Sequence, residues 1–237
     1  AWKSGRAQIL KEQCDSILGI LPFEQKWYAE RDIDYTYVGN PLAQKYIGVN
    51  AYAAQGPIAL LPGSRSQEIA RLLPEFIAVA RAMPKKAFVL IRPESAVPVW
   101  PNLEIPENIK LFTGELKNGM EHCSAALVCS GTATLEVALM GVPQLVVYRA
   151  NPLSLAIAKR FVKIRYISLP NLILNAGALP ELLQEDARSE ALVERLSDLL
   201  ADPSDQLVAY TNLLQVLEQK DPAATAAGHI LTISSEV

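Results

Sequence analysis

The chain has 237 residues, half of them apolar and 20% charged, with 22 Lys and Arg against 25 Asp and Glu for a net charge of −3. That balance fits a globular protein with a substantial core and gives no polycationic signal for nucleic acid. Two histidines, three cysteines in no metal or redox spacing, and no run near the ~20 apolar residues of a membrane span argue against a zinc centre, a disulfide scaffold and a transmembrane protein.

The sparse thiols, Cys14, Cys123 and Cys129, fit a reducing compartment. The sequence opens without Met or a leader pattern, on residues that read as the inside of a fold, and the expectation is a fragment lacking an upstream domain. Residues 6–13 are compatible with a helix and 14–21 read as a short buried strand. Pro22 stands where helices start, ahead of FEQKWYAERD. A strand is expected over 35–39. Residues 40–56, which carry Gly48, Asn50 and Gly56, read as a linker.

From residue 58 the pattern alternates. A strand at 58–61 precedes a helix over 67–82 with Ile69, Leu72, Leu73, Phe76, Ile77 and Ala80 at helical spacing. A strand at 87–91, a proline-rich loop over 93–106, a strand at 109–112 and a short helix near 115–122 follow. A strand at 125–129 leads into a turn and a helix closed by Gly141, then a strand at 143–148 and a helix over 152–165. Apolar strands alternating with amphipathic helices predict an α/β fold, a Rossmann-like parallel sheet with helices on both faces. Residues 178–220 read as a wholly helical segment and the stretch after Asp221 as a fraying tail. The expected division is 1–50 as the end of an upstream domain and a linker, 51–176 as the Rossmann-like domain, 177–220 as C-terminal helices for dimerisation or packing, and 221–237 as a flexible tail.

Two turns carry the chemistry. In IALLPGSRSQEI a buried strand ends on Pro-Gly-Ser-Arg and a helix begins at once. Ligands of open α/β sheets sit at the carboxyl ends of strands, where a helix start offers unpaired N–H groups and the positive end of its dipole. Gly63 allows close backbone approach, the turn continues through Ser64, and Arg65 can fork two hydrogen bonds onto a phosphate. An ordinary helix cap with a solvated Arg65 is the competing reading. In CSGTATLEVALMG the pattern repeats with Ser130, Gly131 and Thr132, and Glu136 follows one helical turn later, where a carboxylate can accept both hydroxyls of a ribose. There is no G-x-S-x-G elbow, no Walker lysine and no G-x-G-x-x-G. A third stretch, 152–174, clusters Lys159, Arg160 and Lys163 on one face of a helix. It reads either as a basic surface for an anionic partner or as a core helix with a solvated face.

The blocks LLPGSRSQEI, SAALVCSGTATLEVALMGVPQLVVYR and AKRFVKIRYISLPNLIL, together with LPFEQKWY and YVGNPL upstream, resemble the lipid-A-disaccharide synthase family over nearly the whole chain. Asn40 stands where many members carry His. The resemblance implies a glycosyltransferase of the GT-B type that is inverting and metal-independent. Such an enzyme transfers 2,3-diacylglucosamine from UDP-2,3-diacylglucosamine to the 6-hydroxyl of 2,3-diacylglucosamine 1-phosphate (lipid X). It implies a peripheral place on the cytoplasmic face of the inner membrane of Gram-negative bacteria, and a homodimer with exchanged C-terminal segments. Gly63, Ser64, Arg65, Ser130, Gly131, Thr132 and Glu136 would bind UDP, with Arg149, Lys163 and Asn171 as further substrate or active-site candidates. No metal or other cofactor is implied. The family keeps its catalytic acids largely in an N-terminal domain, so no general base is assigned here, and the chain alone is expected to bind a uridine nucleotide weakly and turn nothing over. Another UDP-sugar enzyme of the same architecture, such as an epimerase or the glycosyltransferase of peptidoglycan synthesis, and a non-catalytic nucleotide-binding or dimerisation module are the alternatives.

Overall fold

The computed structural model describes residues 4–149, 165–217 and 220–235. The chain divides into two compact units, one of residues 48–210 and one of residues 1–47 with 211–237.

The smaller unit opens with α1 (Ser4–Gln13), β1 (Ile17–Gly19), α2 (Glu24–Ala29), β2 (Tyr35–Tyr37) and α3 (Pro41–Lys45). β1 and β2 pair in parallel, Ile17 opposite Tyr35. Their core is aromatic: Tyr28 stacks on Tyr35 with ring centroids 4.9 Å apart. Residues 40–56 are not a plain linker. Asn40 caps α3, its side chain accepting from the amides of Leu42 and Ala43 and donating to Ile20 O at 3.0 Å. That pattern is what an Asn-Pro start to a helix encodes. In the larger unit, Tyr52 forms a parallel bridge with Cys123.

The larger unit is a six-stranded sheet with every neighbouring pair parallel. Its elements are β3 (Ile58–Leu61), α4 (Ser66–Ala82), β4 (Phe88–Arg92), β5 (Ile109–Thr113), α5 (Leu116–Gly119), β6 (Ala125–Cys129), α6 (Thr132–Leu139), β7 (Gln144–Tyr148), α7 (Leu169–Leu174), β8 (Glu181–Leu183) and α8 (Ser189–Ala201). The strand order is β5-β4-β3-β6-β7-β8. The chain winds outward from β3 in one direction and from β6 in the other, so the order reverses between these two central strands, the Rossmann-like arrangement. All residues of β3 and β6 are buried, as strands covered by helices on both faces require. α4 turns Ile69, Leu72, Leu73, Phe76 and Ile77 onto the sheet.

Two expectations for the C-terminal part are corrected. Residues 178–220 are not wholly helical: β8 pairs with β7 and extends the sheet. α8 packs Leu192, Leu196 and Leu199 into the sheet's core, so this segment belongs with the sheet domain beyond the expected boundary at 176. α9 (Ser204–Leu217) is anchored by a buried amide exchange in which Gln206 Oε1 accepts from the Gln144 amide at 2.8 Å and Gln206 Nε2 donates to Gln144 O at 3.0 Å. The stretch after Asp221 is a helix, α10 (Pro222–Ser235), rather than a frayed tail. Asp221 Oδ1 accepts from the amides of Ala223 and Ala224, both at 3.0 Å, and Pro222 occupies the first turn, which together start it. The expected helix over 152–165, with Lys159, Arg160 and Lys163, lies outside the described residues but for Arg165.

Candidate functional site

Because β3 and β6 are neighbours in register, with Leu61 opposite Val128, the turns that follow them lie side by side at the carboxyl edge of the sheet. There the sheet opens into a cleft of about 390 Å3. All seven residues expected to hold a nucleotide line it: Gly63, Ser64 and Arg65 from one turn, Ser130, Gly131 and Thr132 from the other, and Glu136 from α6. Pro93 after β4 and Gly114 and Leu116 after β5 close one side. The position is the switch point at which ligands bind in open α/β sheets.

Gly63 and Gly131 serve different ends. Gly63 has φ +107, and a Cβ there would come within 2.6 Å of Glu68 Oε2, so the turn needs glycine for conformation and for room. Gly131 is extended, and a Cβ on it would meet nothing within 4 Å. The backbone there is open to whatever enters the cleft. At the start of α6 the Thr134 amide donates to Gly131 O at 3.2 Å, and the amides of Thr132 and Ala133 ahead of it give that wall a positive end. Ser130 Oγ donates to Ile167 O at 3.2 Å, tying the second turn to the segment that leads into α7.

Glu68 was not anticipated from the sequence. It stands at the third position of α4 and spans the start of that helix: Oε2 accepts from the amides of Ser64 and Arg65, both at 3.3 Å, and Oε1 from Arg65 Nη1 at 2.7 Å. The one available signal was an acid three residues past a turn, the capping-box spacing. Cys129 lies at the cleft wall. Burial pushes its thiol up to about 12, with the Glu68 carboxylate adding to the rise and Arg65 opposing it, so the group is a neutral packing residue rather than a nucleophile.

Arg149 and Asn171 do not line this cleft. Arg149, just past β7, donates to Glu75 Oε1 at 2.5 Å, and Glu75 Oε2 accepts from the Ser189 amide at 2.9 Å. Asn171 was expected to reach an active site, but the structure buries it completely. Its amide donates to Leu179 O and Glu181 Oε1, both at 2.8 Å, and its oxygen accepts from the Leu179 amide at 2.9 Å. Glu181 is a second residue the sequence did not single out: it also accepts from the amides of Ile167 and Ser168 and from Ser168 Oγ. Lys163 lies outside the described residues. Among the described residues no three His, Cys, Asp or Glu side chains converge as metal ligands, and no helix is long and apolar enough to cross a membrane.

A family model described as lipid-A-disaccharide synthetase matches residues 1–229. The chain is similar to the lipid-A-disaccharide synthases of Pseudomonas putida and Pseudomonas syringae pv. syringae, at 36% identity over 98% of this chain in each case. It spans 66% of the length of these curated relatives. Among solved structures it is similar to the glycotransferase of kitacinnamycin (TM-score 0.60, 17% identity, 91% of this chain and 54% of that one). It is also similar to the calicheamicin glycosyltransferase CalG4 (TM-score 0.57, 18% identity, 99% of this chain and 61% of that one). At such identities the likeness is one of fold.

Proposed function

We propose, because the chain belongs to the lipid-A-disaccharide synthetase family, that its cleft is the donor site of a glycosyltransferase that takes UDP-2,3-diacylglucosamine. The sugar passes to the 6-hydroxyl of 2,3-diacylglucosamine 1-phosphate. The bond from the donor's anomeric carbon to the diphosphate oxygen breaks, a bond to the acceptor's O6 forms with inversion, and the hydroxyl proton leaves to a base. UDP and the β-1,6-linked disaccharide 1-phosphate are the products.

The observation that carries this reading is the meeting of Arg65, two helix starts and Glu136 in one cleft at the sheet's switch point. Departing UDP gathers charge on its diphosphate. Donors already oriented toward that point stabilise it without reorganisation. The amides of Thr132 and Ala133 at the start of α6 are such donors, and Arg65, once it turns from Glu68, adds its charge to theirs, which lets the reaction run without a metal. Glu136, four residues or about 6 Å into α6, stands one turn away, where the ribose hydroxyls of a nucleotide lying along that helix start would fall. The general base is not assigned to a residue of this cleft, since Glu68 is engaged with the start of α4. The same reading places the protein at the cytoplasmic face of the inner membrane as a peripheral homodimer with exchanged C-terminal segments.

Calorimetric titration with UDP tests the donor site. Binding that is lost in Arg65→Ala and Glu136→Ala supports it. A chain that dimerises and binds no nucleotide would instead be a non-catalytic module.

A further inference from the structure

A second recess, of about 370 Å3, adjoins the donor cleft. Arg65, Arg71 and Arg149 line it together with Glu68 and Tyr148, and Arg65 and Glu68 belong to both recesses. Three arginines and one acidic residue therefore line it. The arginines come from two places that the fold brings together, the first turns of α4 and the end of β7.

Their partners differ. Arg65 is paired with Glu68, and Arg149 with Glu75. The second pair is half-buried, and Glu75 is held in turn by the Ser189 amide at the start of α8, so Arg149 is fixed in direction while keeping most of its five donors. Arg71 Nη1 reaches only the neutral carbonyl of Arg149, at 3.5 Å, and among the described residues no carboxylate pairs with it. The two ion pairs cancel, and Arg71 leaves the recess with a net positive charge. Adjacent guanidinium forks match the terminal oxygens of a phosphate.

We propose that this recess is a second phosphoryl subsite, distinct from the donor diphosphate site, and that it takes the phosphomonoester of the acceptor sugar. The assignment rests on the donor reading given above. A transfer between two phosphorylated sugars brings two anions close together. The donor's diphosphate is bonded to the carbon under attack, and the acceptor carries its phosphate on C1, at the far end of the ring from the attacking O6. Inversion brings O6 to the face of that carbon opposite the departing diphosphate, so the two anions need separate recesses with the reacting carbon between them, and two recesses that meet at Arg65 and Glu68 supply them. The diphosphate of one nucleotide needs only the first.

The test is calorimetric titration of the 237-residue chain with glucosamine 1-phosphate, with and without saturating UDP. Glucosamine 1-phosphate is expected to bind in both cases. Arg71→Gln and Arg149→Gln should each weaken it by about tenfold or more while changing UDP affinity less than about twofold, and Glu136→Ala should do the reverse. Displacement of the sugar phosphate by UDP, or unchanged binding in both arginine variants, overturns the proposal. Arg149→Gln strands Glu75 and can loosen the fold, so Arg71→Gln, which breaks no ion pair, decides if the former loses its thermal transition. Binding to vesicles containing phosphatidic acid, with none to glucosamine 1-phosphate, overturns the sugar assignment in favour of a lipid headgroup. Failure of the unaltered chain to bind UDP sinks the donor reading instead, and the sugar phosphate titration reads the recess separately.

Discussion

Glu68 Oε1 lies 2.7 Å from Arg65 Nη1 in the same turn whose backbone amides its other oxygen accepts. A carboxylate of the protein thus sits on the positive end of α4, on the group and the helix start proposed for a diphosphate. Arg65 is largely exposed and Glu68 is not. The arginine is therefore the partner free to swing toward an arriving anion, while Glu68 stays. Exposed ion pairs hold weakly, so the exchange is undemanding.

Glu68→Gln should for that reason tighten UDP binding, by about threefold or more once the fixed negative charge is gone. The helix loses a favourable acid in its first turn, and the thermal midpoint should fall by about 2 °C. Calorimetry and a thermal melt read both effects. Weaker UDP binding would mean that Glu68 aims Arg65 at the ligand and does not compete for it.

Gly63 and Gly131 should separate stability from binding. Gly63→Ala forces an L side chain to φ +107 and drives its Cβ against Glu68, costing about 1–3 kcal/mol of folding stability. Gly131→Ala meets no protein atom within 4 Å and needs no unusual φ, so the fold should be as stable as before. Its methyl stands on the cleft wall, and UDP affinity should drop about tenfold through the lost backbone approach. Chemical denaturation and UDP titration of the two variants check the pair. Equal affinity in Gly131→Ala would move the ligand away from that turn.

The central strands were legible because they are covered on both faces and read as unbroken apolar runs, as in AALVC. With them came the two turns, and hence the cleft, since the register of β3 against β6 places one beside the other. β8 was not legible: it has three residues, only Leu182 is buried, and its charged neighbours resemble a helix surface. Gln144 and Gln206 bond across 62 positions of sequence, and no local pattern marks such a pair. Glu68 reaches back to the amides of a turn in which Gly63 takes a positive φ, a conformation that the run of apolar and polar residues does not announce. Asn171 is a related case. An asparagine beside a proline suits a ligand contact or a backbone brace equally well, and its burial, which the local sequence does not encode, decides for the brace.

Asn171→Ala should therefore behave as a folding mutation. It strands the carbonyl and amide of Leu179 in the interior, at about 2–3 kcal/mol. UDP affinity of the folded fraction should be unchanged. Asn171→Asp adds a test with a sign. It sets a carboxylate within hydrogen-bond reach of Glu181, and two such groups hold a shared proton, raising a folded pKa above the unfolded ~4. The contribution is intact below pH ~4 and is lost as pH rises, so this variant should be less stable at pH 7 than at pH 5 relative to the parent chain. Denaturant midpoints at the two pH values measure it.

The buried thiols add to the alkaline sensitivity of the fold. Burial pushes Cys123 up to about 12, and Cys129 is raised to the same range by burial first and Glu68 second. The unfolded chain ionises its thiols near pH ~8.5. Their contribution to stability is thus intact below that pH and falls as pH climbs toward 12, because only the unfolded state loses the protons. Between pH 8 and 10.5 the unfolding free energy should decline, and the slope should be shallower by up to about 1.4 kcal/mol per pH unit for each thiol removed in Cys123→Ala and Cys129→Ala. The slope is the readout because the cavities left by the substitutions lower stability at every pH alike. The same neutrality predicts labelling. At pH 8 iodoacetamide should modify the exposed Cys14 and spare Cys129, despite its place on the cleft wall. Rapid alkylation of Cys129 that UDP slows would show a thiolate in the cleft and reopen a covalent role for that wall.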